Sequence, residues 1–207
     1  MPTPNFPGLL IVFEGIDGTG KSTQARMIAD WLREEGHRVV VSREPTDGPF
    51  GTRLRESASK GRLSPEDELQ LFHQDRREHV ETLIEPALEA GEIVLLDRYY
   101  FSTMAYQGAR GFDPAEIRRL NEEFAPIPDL LILLDVPLAT ALDRIGVRDG
   151  DPNEFEQREA LHHCREIFHA LPDDFVRRID ASQPIDAVHR EVRAAVTPLL
   201  ARTPHRG

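Results

Sequence analysis

The sequence has almost no cysteine: Cys164 is the single one in 207 residues. That excludes an intramolecular disulfide and fits a reducing compartment. No apolar run approaches the roughly 20 residues needed to cross a bilayer, and the first residues, MPTPNFPG, lack the basic start and apolar stretch of a secretory signal. Positive charge is in deficit. With 25 Lys and Arg against 36 Asp and Glu, the formal net charge is −11. A broad nucleic-acid surface needs a net-basic face, so neither a nucleic-acid polymer nor a membrane is an expected partner. The expectation is a cytoplasmic globule in which any anion site must gather its arginines locally. There is no internal repeat or low-complexity linker, and the length suits one domain spanning 1–207.

Short apolar runs alternate with helical patterns. GLLIVFE (8–14), RVVVSRE (38–44), EIVLLDR (92–98), DLLILLDV (129–136) and the weaker FVRRIDA (175–181) read as strands, most of them continuous enough to be buried on both faces. Ala25, Ile28, Ala29 and Leu32 form an i, i+3, i+4, i+7 stripe of a helix ending near Gly36. LSPEDE opens another helix, with Ser64 able to cap, Pro65 at the first helical position and acids in the first turn. A final helix runs to about Ala201. Strands alternating with helices predict an α/β fold of three layers: a five-stranded parallel sheet with helices on both faces.

The chemistry is densest in EGIDGTGKST, residues 14–23. Gly15, Gly20, Lys21 and Ser22 satisfy G-x-x-x-x-G-K-[ST], with a strand before and a helix after. Glycines let successive backbone N–H groups of Gly15, Ile16, Asp17, Gly18, Thr19 and Gly20 turn toward an anion, and the following helix start, with Thr23, adds partial positive charge. Lys21 supplies a point charge for β/γ-phosphates and the Ser22 hydroxyl can ligate Mg²⁺. ATP or GTP is therefore the expected ligand. The N-K-x-D guanine reader of a GTPase is absent from the sequence. Asp17 is an odd neighbour for phosphate, since like charges repel, but suits a sugar hydroxyl or the metal.

Five blocks in order resemble the thymidylate kinase family: EGIDGTGKST, REP (43–45), LFHQDR (71–76), DRYYFSTMAYQG (97–108) and LLDV (133–136). The resemblance covers roughly residues 8–200 and implies the P-loop kinase fold with a mobile lid. It also implies transfer of the ATP γ-phosphoryl group to dTMP, giving dTDP for dTTP synthesis, with Mg²⁺ and commonly in a homodimer. On that resemblance Asp17 contacts the 3′-hydroxyl and Arg98 holds the acceptor 5′-phosphate. Asp97 lies where a carboxylate can order Mg²⁺ beside Ser22, and Arg43 ends the second strand facing ligand. Phe72 stacks on thymine and Arg76, four residues on and so on the same helical face, reads its carbonyl. Arg77 is the alternative if the register shifts by one. Thr103, Tyr106 and Gln107 contact the base edge, and the aromatic residue of the segment closes the space a ribose 2′-hydroxyl would need, with Ser102 as an adjacent polar alternative. Arg144 and Arg148 belong to a lid at about 144–155, and Arg148 is the expected charge-neutralising arginine.

The sequence departs from the family pattern at Asn153 and Glu154, where a second lid arginine is expected, and at the REPTDG continuation. A kinase of the same fold with another nucleotide or hydroxyl acceptor, and a nucleotide-binding regulator with weak turnover, are the alternatives. His162, His163, Cys164 and His169 are read as ordinary helix residues, because seven residues separate the two histidines that share a face. The resemblance places an adenine-contacting loop just after RRIDA (177–181).

Overall fold

The computed structural model describes residues 6–61, 63–146 and 154–201. Its five strands are β1 (Leu9–Glu14), β2 (Val39–Arg43), β3 (Ile93–Asp97), β4 (Leu130–Asp135) and β5 (Val176–Asp180), all paired in parallel in the order β2-β3-β1-β4-β5. Each lies within two residues of its sequence-predicted span. All six residues of β1 are buried, which an uninterrupted apolar run requires when helices cover both faces. The edge strand β5 instead buries Val176 and Ile179 and leaves Arg177, Arg178 and Asp180 exposed. Its apolar signal was weaker for that reason.

The helix α1 (Lys21–Glu34) buries its predicted stripe and packs on β1, β2, β3 and the C-terminal helix α9 (Ile185–Leu200). Between β2 and β3 the chain forms α2 (Pro49–Lys60), α3 (Pro65–His79), a π-helical turn (Val80–Ile84) and α4 (Glu85–Glu89). The Ser64 hydroxyl accepts from the Asp67 amide at 3.1 Å, and three acids occupy the first turn of α3. After β3 come α5 (Tyr100–Gly108) and α6 (Pro114–Glu122); after β4, α7 (Leu138–Ile145) and α8 (Glu154–His169). Helix α2 was not read from the sequence: PFGTRLRESASK has a proline at its first turn but only a thin apolar stripe, and Leu54 carries its burial.

β1 lies at the centre, and the chain leaves it first toward β2 and later, after β3, toward β4 on the other side. That reversal opens a crevice at the carboxyl ends of the strands, where open parallel sheets hold ligands. The loops after all five strands collect there. Of the expected lid, Arg144 lies in the last turn of α7, Gly146 ends that helix with φ 80°, and Glu154 opens α8. Arg148 and Asn153 fall outside the described residues. Among the described residues no helix is long and apolar enough to cross a membrane.

Candidate active site

The loop between β1 and α1 turns sharply at Gly15, with φ 138°. A Cβ at that position would stand 2.3 Å from the Leu134 carbonyl oxygen, so the close approach of the loop to β4 needs glycine. Lys21 curls back over the loop, its Nζ donating to the carbonyls of Gly15 at 3.0 Å and Ile16 at 2.9 Å. Burial pushes the Lys21 ammonium down to about 8, helped by Arg98 and opposed by Asp17, Asp97 and Glu14. The Thr19 hydroxyl donates to the Ile16 carbonyl at 3.0 Å. At the mouth of the loop the Ser22 hydroxyl donates to Asp97 Oδ2, whose companion Oδ1 is buried with no hydrogen-bond partner among the described residues. A hard cation would give that orphaned oxygen its counter-charge. The donor set, one hydroxyl and one carboxylate, suits an ion that keeps waters and shares phosphate oxygens. Among the described residues no three His, Cys, Asp or Glu side chains converge as an all-protein metal cage.

Beside the loop lies a cavity of about 220 Å³. The expected acceptor residues Asp17, Phe72, Arg76, Arg98, Thr103, Tyr106 and Gln107 all line it. Arg98, the residue after β3, lies in the left-handed region, φ 73°, the sole non-glycine residue there among the described ones. Such a residue is held by its surroundings against a local preference, and such residues cluster at ligand sites. Here the Arg98 amide donates to the Phe13 carbonyl at 3.0 Å, and the guanidinium is tied to Ser102 Oγ at 2.9 Å and to Asp17 Oδ1. It also lies 5.2 Å from the centre of the Tyr106 ring. The Tyr106 hydroxyl donates to the other oxygen of Asp17 at 3.0 Å. Burial would raise the Asp17 carboxyl, but Arg98, Lys21 and Tyr106 outweigh it and hold Asp17 below its ordinary value, ionised.

The register question on α3 has a clear structural answer. Arg76 is 1% exposed, while Arg77 points outward and stacks 4.1 Å from the centre of the Phe124 ring. Arg76 Nε donates to Glu44 Oε2 at 2.8 Å, Nη1 to Asn121 Oδ1 at 2.7 Å, and Nη2 to Thr103 Oγ1 at 3.0 Å while pairing with Glu44 at 2.7 Å. Of the five N–H groups of a guanidinium, one on Nη1 has no partner among the described residues, and Arg76 lines the cavity. Glu44 is held in turn by His79 Nδ1 at 3.0 Å, and His79 reaches Ser42 Oγ at 2.8 Å. Asn121 Nδ2 lies 3.2 Å from His73 Nε2. Burial, with Arg76 and Arg77 nearby, pushes His73 down to about 4, so the ring is neutral and accepts from the amide. Phe72 is half-buried and outside the main core cluster, its ring lining the cavity wall. Gln107 Nε2 donates to Glu68 at 3.3 Å, and Arg110 pairs with the same carboxylate at 2.6 Å.

Arg43 is not brought to this cavity. Strand alternation sends successive side chains to opposite faces, so Glu44 turns inward while Arg43 pairs with Asp47 at 2.9 Å and stays 61% exposed. Sequence reading also passed over Glu14, Glu44, Glu68 and Asn121, all buried acceptors that hold the reading side chains. REP was the available signal for Glu44: an acid at a strand end, before a proline.

A second cavity, about 170 Å³, is lined by Thr19, Gly20, Thr23, Gln24, Arg144, Ala181, Gln183, Ile185 and Val188. Arg144 bridges its walls, donating to the Gly18 carbonyl at 3.1 Å and the Ala181 carbonyl at 3.2 Å. Ala181 and Gln183 follow β5, where the adenine-contacting loop was expected. Elsewhere, Cys164 is buried with its thiol on the Ala105 carbonyl, His162 faces Glu166, and His169 pairs with Asp135 at 3.0 Å.

The family model described as thymidylate kinase matches residues 13–192. The chain is 54% identical over 194 residues to a thymidylate kinase of Xanthomonas campestris pv. campestris, covering 94% of this chain and 85% of that protein. It is 53% identical over 190 residues to a thymidylate kinase of Akkermansia muciniphila, covering 92% of each. To a thymidylate kinase of Xanthomonas oryzae pv. oryzae it is 51% identical over 194 residues, covering 94% of this chain and 85% of that protein.

Proposed function

The chain belongs to the thymidylate kinase family, and from that premise we propose a site in which the phosphate loop holds ATP and the cavity between Phe72 and Arg98 holds dTMP. The reaction is transfer of the ATP γ-phosphoryl group to dTMP, giving dTDP. A bond forms between the dTMP phosphate oxygen and the γ-phosphorus while the bond to the β-phosphate oxygen breaks and ADP leaves. The attacking oxygen is already ionised, so no general base is needed, and the protein supplies positioning and electrostatics.

The backbone amides of 15–20, with Lys21, cradle the β/γ-phosphates, and the second cavity takes the adenosine, with Arg144 across it. Mg²⁺ fits Ser22 and Asp97, whose partnerless oxygen supports this reading, and when bound it neutralises charge shared by the β- and γ-oxygens. Arg98 takes the acceptor phosphate. Asp17, released from Arg98 on one side, accepts from the 3′-hydroxyl, and the Tyr106 ring occupies the space that a 2′-hydroxyl would need. Arg148, by its place in the sequence, supplies the positive charge that neutralises the transferring phosphoryl group. The chain works in the cytoplasm as a homodimer, which light scattering would report as twice 23.4 kDa.

The observation that carries the base assignment is Arg76. A donor-only group with one N–H left, locked by Glu44, Asn121 and Thr103 beside a half-buried aromatic face, reads a carbonyl oxygen. The O4 of thymine satisfies it; the amino group of cytosine would set donor against donor. Coupled ADP release with ATP, Mg²⁺ and dTMP, beside dUMP, dCMP, dGMP, CMP and AMP, tests this. Preference for dTMP with dUMP second and dCMP far behind supports it. Equal turnover of dCMP would remove Arg76 from the base-reading role.

A further inference from the structure

Glu14 has no place in the mechanism above, yet it is the most deeply buried charged side chain at the site, with 0% exposure. It is the last residue of β1, immediately before Gly15 of the phosphate loop. Its carboxylate reaches across to the start of α5. One oxygen accepts from the amides of Tyr99 at 2.8 Å and Ser102 at 3.0 Å, and the other accepts from the Ser102 hydroxyl at 2.6 Å. Having donated its proton to Glu14, the Ser102 oxygen has its lone pairs free, and Arg98 Nη1 donates to it at 2.9 Å. The chain of contacts therefore runs from phosphate loop to Glu14, to Ser102, to Arg98. The left-handed turn at Arg98 lies between the strand end and the amides that Glu14 clamps.

We propose that Glu14 is a positioning residue for the acceptor: through the Ser102 hydroxyl it orients the Arg98 guanidinium and fixes its distance from the phosphate loop. The acceptor phosphate must lie in line with the γ-phosphate, and small displacements of such a geometry are costly. A buried anion joining the end of β1 to the start of α5 makes the two phosphate sites one rigid unit. An apolar residue at position 14 would leave two backbone amides and a hydroxyl without acceptors. Glutamine would keep an oxygen for the amides, but its NH₂ would face the Ser102 oxygen, leaving the hydroxyl proton without an acceptor and disturbing the arginine's anchor. The proposal rests on the reading of Arg98 as the holder of the acceptor phosphate.

Steady-state kinetics of Glu14→Gln, Ser102→Ala, the double variant and Arg98→Ala separate the two ideas. Loss of one hydrogen bond to a charged group is expected to raise KM for dTMP about tenfold in Glu14→Gln and in Ser102→Ala. KM for ATP should stay within about twofold in Ser102→Ala, which leaves the Glu14 charge near Lys21 in place. The double variant should be no worse than Glu14→Gln alone, since both act through one hydroxyl. Equal effects on both KM values, additive effects in the double variant, or a lowered melting temperature with unchanged kinetics would each overturn the proposal. If Arg98→Ala raises KM for dTMP but Ser102→Ala and Glu14→Gln do not, the relay fails and the Arg98 reading stands. If Arg98→Ala leaves KM for dTMP unchanged, both fall. Ser102→Ala removes one hydroxyl and leaves the two amide contacts of Glu14 in place, so it carries the test should Glu14→Gln fail to fold.

Discussion

Arg76 and Glu14 show how individual buried charges at this site are held. Arg76 is surrounded by matched acceptors, so Arg76→Met would leave the buried Glu44 carboxylate with the His79 ring but without its guanidinium, and cost about 3–5 kcal/mol of stability. Urea unfolding should show that loss together with loss of dTMP turnover, whereas Arg77→Met, on the exposed side of α3, should change neither appreciably. Glu14 behaves differently, because burial pushes its carboxyl from an ordinary 4.5 up to about 7, against the pull of Ser102, Arg98, Tyr99 and Lys21. Between those two values the folded chain holds a proton that the unfolded chain has released. Its contribution to stability therefore falls as pH rises through that window and is lowest above it. Comparing urea unfolding at about pH 5 and about pH 7.5, the native chain should lose more stability than Glu14→Gln, which has no proton to release there. An identical pH slope in both would show that Glu14 is not the titrating group.

At the scale of elements, the acceptor cavity depends on α3 entering at a defined point and on α5 starting from a constrained turn. Ser64 caps α3 two turns before Phe72. Ser64→Ala should cost about 1 kcal/mol, lowering the melting temperature by about 2–4 °C for a chain of this size. KM for dTMP should barely move, because Phe72 and Arg76 are fixed by packing and by the Glu44 and Asn121 contacts rather than by the cap. A large rise in KM would mean that the cap sets the position of the whole helix. The start of α5 has no side-chain cap of its own; Glu14 from β1 accepts from its first amides instead. Sequence inspection within the DRYY segment has no way of finding that cap, since it lies 85 residues away in the chain.

For the molecule as a whole, a sheet buried on both faces supplies the rigidity that a phosphate-transfer site needs. Leu131, fully buried in β4 next to β1, should cost about 2–5 kcal/mol as Leu131→Ala in chemical denaturation, through lost burial and the cavity left behind. Ligands should act in the opposite direction. With dTMP at about a hundred times its dissociation constant, mass action adds about 2.7 kcal/mol, a rise in melting temperature readable by thermal shift. Arg98→Ala should abolish that rise while leaving a shift from ATP and Mg²⁺. Loss of both shifts would mean that Arg98 supports the phosphate loop as well as the acceptor.

Periodicity and local composition were enough to determine the parallel α/β plan and all five strands, most of them because uninterrupted apolar runs have few other places to go and β5 by its place in the strand–helix alternation. The phosphate loop was equally legible: its glycines, lysine and serine act through backbone angles and local reach, which spacing encodes. Phe72 and Arg76 were singled out by the resemblance to the family, and the helical repeat added only that they share a face. Strand order was not legible, nor was the inward turn of Glu44 in place of Arg43, which rests on the phase of β2 against β3 rather than on composition. Helix α2 was also missed, its amphipathic signal being thin. Tertiary structure alone decided which acids meet which arginines: Glu44 with Arg76, Asp17 with Arg98, and Glu14 with the turn that carries Arg98. Those partners are 32, 81 and 85 residues apart in the chain. Burying a charge demands a counter-group in three dimensions, and only the folded sheet, which brings the strand ends to one edge, chooses it.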